Sequence, residues 1–158
     1  MTLPELYFVE RVFPYTPPTL WDAWTSSAAL QEWYHPQDLA AVAGSAVSEP
    51  HVGGKWSIGI DASTYGIVPY FYGRYLEVTP HELLCHTMHY TESAEAFLLA
   101  DAATEFHHVT IRFTATSGGT AVRFTQFGTL PDGEAAQAQA GMESYFDSLG
   151  HYLAASAN

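Results

Sequence analysis

The chain has 158 residues, 47% of them hydrophobic, enough for one domain that buries about 68–70% of its unfolded surface. Five Lys and Arg against 17 Asp and Glu leave a formal net charge of −12, which repels phosphate backbones and anionic lipid and excludes nucleic-acid partners. No run approaches the roughly 18 consecutive apolar residues of a spanning helix, so membrane insertion is excluded as well.

Leu6 to Tyr15 reads as a first strand, with Tyr7, Val9, Arg11 and Phe13 on one face and Phe8, Glu10, Val12 and Pro14 on the other. Thr16-Pro17-Pro18-Thr19 opens a helix in which Thr16 suits the cap, and Leu20, Ala23 and Trp24 form the inward stripe. Ser26-Ser27 interrupts it. Ala28 to Tyr34 makes a second short helix carrying Leu30 and Trp33, ended by His35-Pro36 because a residue before proline avoids the helical region.

Ala43 to Val47 reads as a short strand. Lys55 to Asp61 alternates, placing Trp56, Ile58 and Ile60 together, and Gly53-Gly54 before it marks a tight turn or a close backbone approach. Pro69 to Val78, rich in Tyr and Phe, pairs across the Thr79-Pro80-His81 turn with Leu83 to Tyr90. Thr91 to Asp101 reads as a polar connection. Glu105 to Thr116 and Thr120 to Leu130 form a last hairpin around Ser117-Gly118-Gly119, with Val109, Ile111 and Phe113 on one side.

The final element runs from Asp132 to about Ala155. Met142, Tyr145, Phe146, Leu149, Tyr152 and Leu153 recur at spacings of three and four, the pattern of an amphipathic helix. Asp132 is placed to cap it and Glu134 to meet the positive end of its dipole. Strand, two short helices, six strands and a long helix predict an α+β fold: a curved antiparallel sheet around the C-terminal helix, in a single domain covering residues 1–158.

Several stretches, in order, strengthen this reading. Val9-Glu10-Arg11-Val12-Phe13, Pro18-Thr19-Leu20-Trp21-Asp22-Ala23-Trp24-Thr25 and Leu30-Gln31-Glu32-Trp33 come first. Gly53-Gly54-Lys55-Trp56, Gly73 through Pro80, Glu82-Leu83-Leu84, Gly118 through Val122 and Gly141-Met142 through Leu153 follow. Together they resemble the heat-shock-protein-90 ATPase activator homologues of the START-like, Bet v 1-like (SRPBCC) superfamily. The resemblance implies a helix-grip fold with an apolar cavity, in which relatives hold lipids, sterols, polyketides or other hydrophobic molecules. Two positions depart from the pattern: Gly141-Met142 stands where the group has Gly-Trp, and Glu49-Pro50-His51-Val52 where it has Asp-x-Arg before Gly-Gly.

The residues carry little chemistry of their own. His86 and His89, three apart in a strand, point to opposite faces, and adjacent His107 and His108 meet the same objection, so no metal site is predicted. Cys85 lies in no nucleophile motif, and no phosphate or dinucleotide fingerprint occurs, so neither a catalytic residue nor a cofactor is assigned. Aromatic residues make up 15% of the chain and favour a hydrophobic small-molecule site. Its expected wall is Trp33, Tyr34, Trp56, Tyr70, Tyr72, His86, Met142, Tyr145, Phe146 and Leu149.

The leading expectation is binding of a hydrophobic or amphipathic small molecule between sheet and helix. The alternatives are a cofactor-independent lyase, cyclase or hydrolase using cavity histidines and carboxylates, and a chaperone partner. The last is set aside because the eukaryotic activators use a further domain for that contact. Exposed strand edges leave homodimer formation open. A lone cysteine and a start, Met-Thr-Leu-Pro-Glu, without a basic segment before an apolar run predict a cytoplasmic location.

Overall fold

A computed structural model describes residues 3–98 and 107–156. In chain order the elements are β1 (Glu5–Phe13), α1 (Pro17–Thr25), α2 (Ser27–Trp33), β2 (Ala40–Ala41), β3 (Val47–Ser48) and β4 (Lys55–Asp61). A 3₁₀ turn at Ser63–Tyr65 precedes β5 (Tyr70–Thr79), β6 (Leu83–Thr91), α3 (Ala94–Leu98), β7 (His107–Thr116), β8 (Gly119–Phe127) and α4 (Glu134–Ser156). The strands form one curled antiparallel sheet in the order β1-β8-β7-β6-β5-β4-β2, with β3 also pairing β4. This is the α+β helix-grip arrangement, with α1, α2 and α4 on the concave side.

The core lies between that concave side and the helices. Tyr7, Val9 and Phe13 of β1, Trp56, Ile58 and Ile60 of β4, Val109, Ile111 and Phe113 of β7, and Val122 and Phe124 of β8 all point inward. They meet Leu20 and Trp24 of α1, Leu30 and Trp33 of α2, and Phe146, Leu149 and Leu153 of α4. Alternation along each strand and the three-four spacing of α4 produce this division.

Local sequence sets the joints. Ser26 ends α1 and caps α2, its Oγ accepting from the Ala29 N–H at 3.2 Å. Thr16 occupies the cap position of α1 but makes no side-chain cap; its Oγ1 lies instead 3.3 Å from Thr19 Oγ1. At α4 the cap position belongs to Gly133 rather than Asp132. A turn closes from the Glu134 N–H to the Pro131 carbonyl, Gly133 takes φ +87°, and the Gln137 N–H reaches the Gly133 carbonyl. Gly54 sits where a Cβ would collide with the Glu49 carbonyl, which accounts for the glycine pair before β4.

Two connections differ from the sequence reading. The strand expected at Ala43–Val47 is replaced by β2 and β3, two-residue strands either side of a turn at Gly44, whose φ is +75°. Within the stretch read as a polar connection, Ala94–Leu98 forms α3, started by an Ala96 N–H bond to Ser93 Oγ at 3.1 Å. Residues 99–101 of that stretch, and the expected strand start at Glu105, lie outside the described residues.

Phe146 is fully buried at the centre of the α4 stripe, against Phe13 and Trp24. Phe146→Ala should therefore cost about 3–5 kcal/mol through lost transfer energy and a cavity. Calorimetry should show a fall in Tm of roughly 6–20 °C for a chain of this size.

Candidate ligand-binding site

Between α4 and the sheet the interior is a run of touching rings. Tyr34, just past α2, meets Tyr145 of α4 edge-on at 5.0 Å and Trp56 of β4 at 5.8 Å. Trp56 stacks on His86 of β6 at 4.1 Å and 25°, and His86 in turn meets Tyr75 of β5 edge-on at 5.9 Å. Trp24 closes the other end, against Trp33, Tyr34, Phe124 and Phe146.

Hydrogen bonds hold the frame of this run. The Trp33 indole N–H donates to the Ala23 carbonyl at 2.8 Å, fixing α2 against α1. Ser148 Oγ donates to the His35 carbonyl at 2.8 Å, and the Gln37 N–H to Ser144 Oγ at 3.0 Å, so the segment carrying Tyr34 is pinned to α4.

The polar atoms inside are unequally served. The Tyr7 hydroxyl donates to Gln126 Oε1 at 2.7 Å, and Gln126 Nε2 lies 2.7 Å from His107 Nδ1. Tyr75 shares a hydrogen bond with Ser48 Oγ at 2.7 Å. Tyr34 and Tyr145 have ring contacts only, with no hydrogen bond from either hydroxyl among the described residues. The indole N–H of Trp24 also has no partner there. Burial raises all four phenol pKa values, that of Tyr75 to about 12, and the neighbouring phenols push Tyr34 further.

His86 is buried and neutral. Its Nδ1 lies 2.8 Å from the Thr87 carbonyl, which requires the proton on Nδ1, and burial lowers its pKa to about 4. Among the described residues no group of three His, Cys, Asp or Glu is gathered to hold a metal ion.

Of the ten residues expected to form the site, eight converge here: Trp33, Tyr34, Trp56, His86, Met142, Tyr145, Phe146 and Leu149. Tyr70 and Tyr72 do not. Tyr72 lies directly opposite His89, while Tyr75 lies opposite His86, and alternation therefore sends Tyr72 and His89 to the far face of the sheet. There Phe97 of α3 stacks on Tyr70 at 4.5 Å and meets Tyr72 at 6.2 Å. Three interior residues, Tyr7, Trp24 and Tyr75, were absent from the expected wall. Trp24 was already on an inward stripe and Tyr7 on a strand face with Val9 and Phe13, but Tyr75 could be found only from its register with His86.

Two recesses open elsewhere. One of about 200 Å³ lies on the far face between β4, β5 and α3 and also borders Trp56. The other, about 500 Å³ and more open, lies beside Pro17, His81 and Arg112.

The family model for activator of Hsp90 ATPase homolog 1-like protein matches residues 14–154. The chain belongs to this family. Among solved structures, an AHSA1 protein from Silicibacter pomeroyi is 18% identical with a TM-score of 0.78, covering 95% of this chain and 98% of that one. A Rhodobacter sphaeroides protein is 26% identical with a TM-score of 0.73, covering 94% and 91%. A Chromobacterium violaceum protein is 22% identical with a TM-score of 0.75, covering 92% and 94%. No functionally curated protein matches the chain. The family fold commonly binds hydrophobic ligands.

The buried neutral His86 makes stability depend on pH. Its folded pKa of about 4 lies below the ordinary 6.5, so between these values the unfolded chain binds the extra proton. The contribution is fully present above pH 6.5 and is lost as pH falls towards 4, on the order of 3 kcal/mol in all. In urea unfolding across that range the wild type should lose stability relative to His86→Phe as pH falls, and the His86 imidazole resonances of the wild type should titrate near pH 4.

Proposed function

We propose that the protein binds a hydrophobic or amphipathic small molecule between α4 and the concave side of the sheet. The observation that carries this reading is the buried Trp24 N–H, which has no hydrogen-bond partner among the described residues, in a ring-lined interior that also holds Tyr34 and Tyr145. A buried donor left unmade costs about 1–3 kcal/mol, and a ligand oxygen placed among these groups recovers it. Apolar rings would take the body of the molecule, and the phenols would orient its polar end.

Entry requires movement, because rings fill the interior. The first turns of α4 are the place for it: Ala136, Gln137, Gln139 and Ala140 are exposed, and Met142, an adaptable side chain, is the first fully buried residue. The alanines that precede Met142 put little bulk in the way.

Native mass spectrometry of freshly purified protein, followed by denaturing analysis of what is released, tests the proposal. A stoichiometric apolar molecule supports it. An empty protein whose Tm also fails to respond to a broad panel of hydrophobic ligands rejects it, since saturation at a hundred times Kd should add about 2.7 kcal/mol. With a ligand in hand, Tyr145→Phe should weaken binding roughly two- to tenfold, as expected for one hydrogen bond of about 0.5–1.5 kcal/mol. The same substitution should change the stability of the free protein little, because no hydrogen bond to a described residue is lost with the hydroxyl.

A further inference from the structure

A chain of hydrogen bonds leads from the rim of the sheet into its concave side. His107, the first residue of β7, is half-buried, and its Nε2 lies 3.1 Å from the Thr129 carbonyl. A carbonyl can only accept, so Nε2 carries the proton and neutral His107 presents a lone pair at Nδ1. That lone pair accepts from Gln126 Nε2 at 2.7 Å, which leaves Gln126 Oε1 to accept from the Tyr7 hydroxyl at 2.7 Å. One exposed carbonyl thus fixes the direction of every bond as far as Tyr7. The imidazole occupies room that Gly128 leaves open, since a Cβ there would collide with the ring.

The titratable and charged groups of the neighbouring elements are placed otherwise. On β6, Met88 stands opposite His107, and His86, two residues along on the same face, is neutral against Trp56. Tyr90 of the same strand donates to Glu92. His108 and Glu5 both stand opposite Phe127, one residue out of step with Gln126 and therefore on the other face. Asp132 and Glu134 are exposed where α4 begins, and its Glu143 and Asp147 meet Arg11. Burial raises the Tyr7 phenol, which keeps its proton throughout.

Imidazole is the side chain that ordinarily changes charge between about pH 5 and 8. A second proton on His107 sits at Nδ1, where it meets the Gln126 amide donor to donor. Turning that amide over restores both bonds: Oε1 accepts from Nδ1–H, and Nε2 donates to the Tyr7 oxygen. We propose that His107 is a pH-sensitive switch for the polarity of the interior, its protonation reversing the Gln126 amide and turning the Tyr7 hydroxyl away from Gln126. The proton comes from solvent and stays on the imidazole, so none passes along the chain. The Tyr7 phenol is near enough to Tyr34 and Tyr145 to push their pKa values up, so the change is made beside those phenols. For a molecule held there the switch exchanges an accepting oxygen for a donating hydroxyl, but the switch itself does not rest on such binding.

The test is a pH titration of the full chain by NMR from about pH 8 to 5, following the His107 ring nitrogens, the Gln126 side-chain amide and the Tyr7 ring carbon that bears the hydroxyl. The expected result is the Nε2–H tautomer at the neutral end, with all three sets of resonances then moving at one shared midpoint. Gln126→Met should leave His107 titrating while Tyr7 no longer responds, which separates the amide reversal from a charge felt through space. Should that buried position not tolerate the change, His107→Phe at the half-buried rim should abolish the response of both Gln126 and Tyr7. The proposal is overturned by an Nδ1–H tautomer at neutral pH, or by a His107 that takes no proton above about pH 5. A Tyr7 that ignores the His107 titration overturns it too, as does a Tyr7 response that survives in either variant.

Discussion

Trp24, at 2% exposure, touches rings from four parts of the chain: Trp33 of α2, Tyr34 beyond it, Phe124 of β8 and Phe146 of α4. Aromatic pairs add about 0.5–1.5 kcal/mol each beyond the area they bury, so this one side chain joins the early helices, the last strand and the final helix. The grip on α4 depends on it. Its only polar atom is left unserved to achieve this, which sets a cost inside the core that a hydrogen-bonded indole such as Trp33 does not carry.

The grip is uneven along α4. From Met142 to Leu153 the helix buries Met142, Tyr145, Phe146, Leu149 and Leu153, and Arg11 of β1 reaches Asp147 at 2.7 Å and Glu143 at 3.4 Å. Those partly exposed ion pairs contribute about 1 kcal/mol at most, so burial decides which part of the helix is held. Before Met142 the turns offer alanine and glutamine, mostly to solvent. Few buried contacts mean low local stability, and this is where an aromatic interior would open most cheaply.

Much of this was legible because the strongest signals are periodic. The α4 stripe, the alternation of β1, β4, β7 and β8, and the two short helices all stand in the sequence as spacings, and the core follows from them. What escaped detection was set by single contacts. α3 is a five-residue helix with no period to read, held by a Ser93 cap and by Phe97 lying on Tyr70. Gly133 displaces Asp132 from the cap of α4 through a positive φ that composition alone does not dictate. Tyr70 and Tyr72 were assigned to the wall with Trp56 because β5 carries aromatic residues on both faces. There the pattern is silent, and only the pairing of Tyr72 with His89 decides the side.

That ambiguity explains the aromatic content itself. A sheet with one buried face needs rings on alternate residues, yet β5 reads Tyr70-Phe71-Tyr72 without alternation. Phe71 joins the concave core, whereas Tyr70 and Tyr72 meet Phe97 on the far face, where α3 covers them. The surplus of rings is therefore divided between two clusters, separated by the sheet, rather than pooled in one cavity. His86 and His89 mark the division. The first is neutral against Trp56 in the interior, and the second is stacked on Tyr72 on the far face. A three-residue separation in one strand makes them residents of different environments, and any chemistry assigned to one face leaves the other to be explained separately.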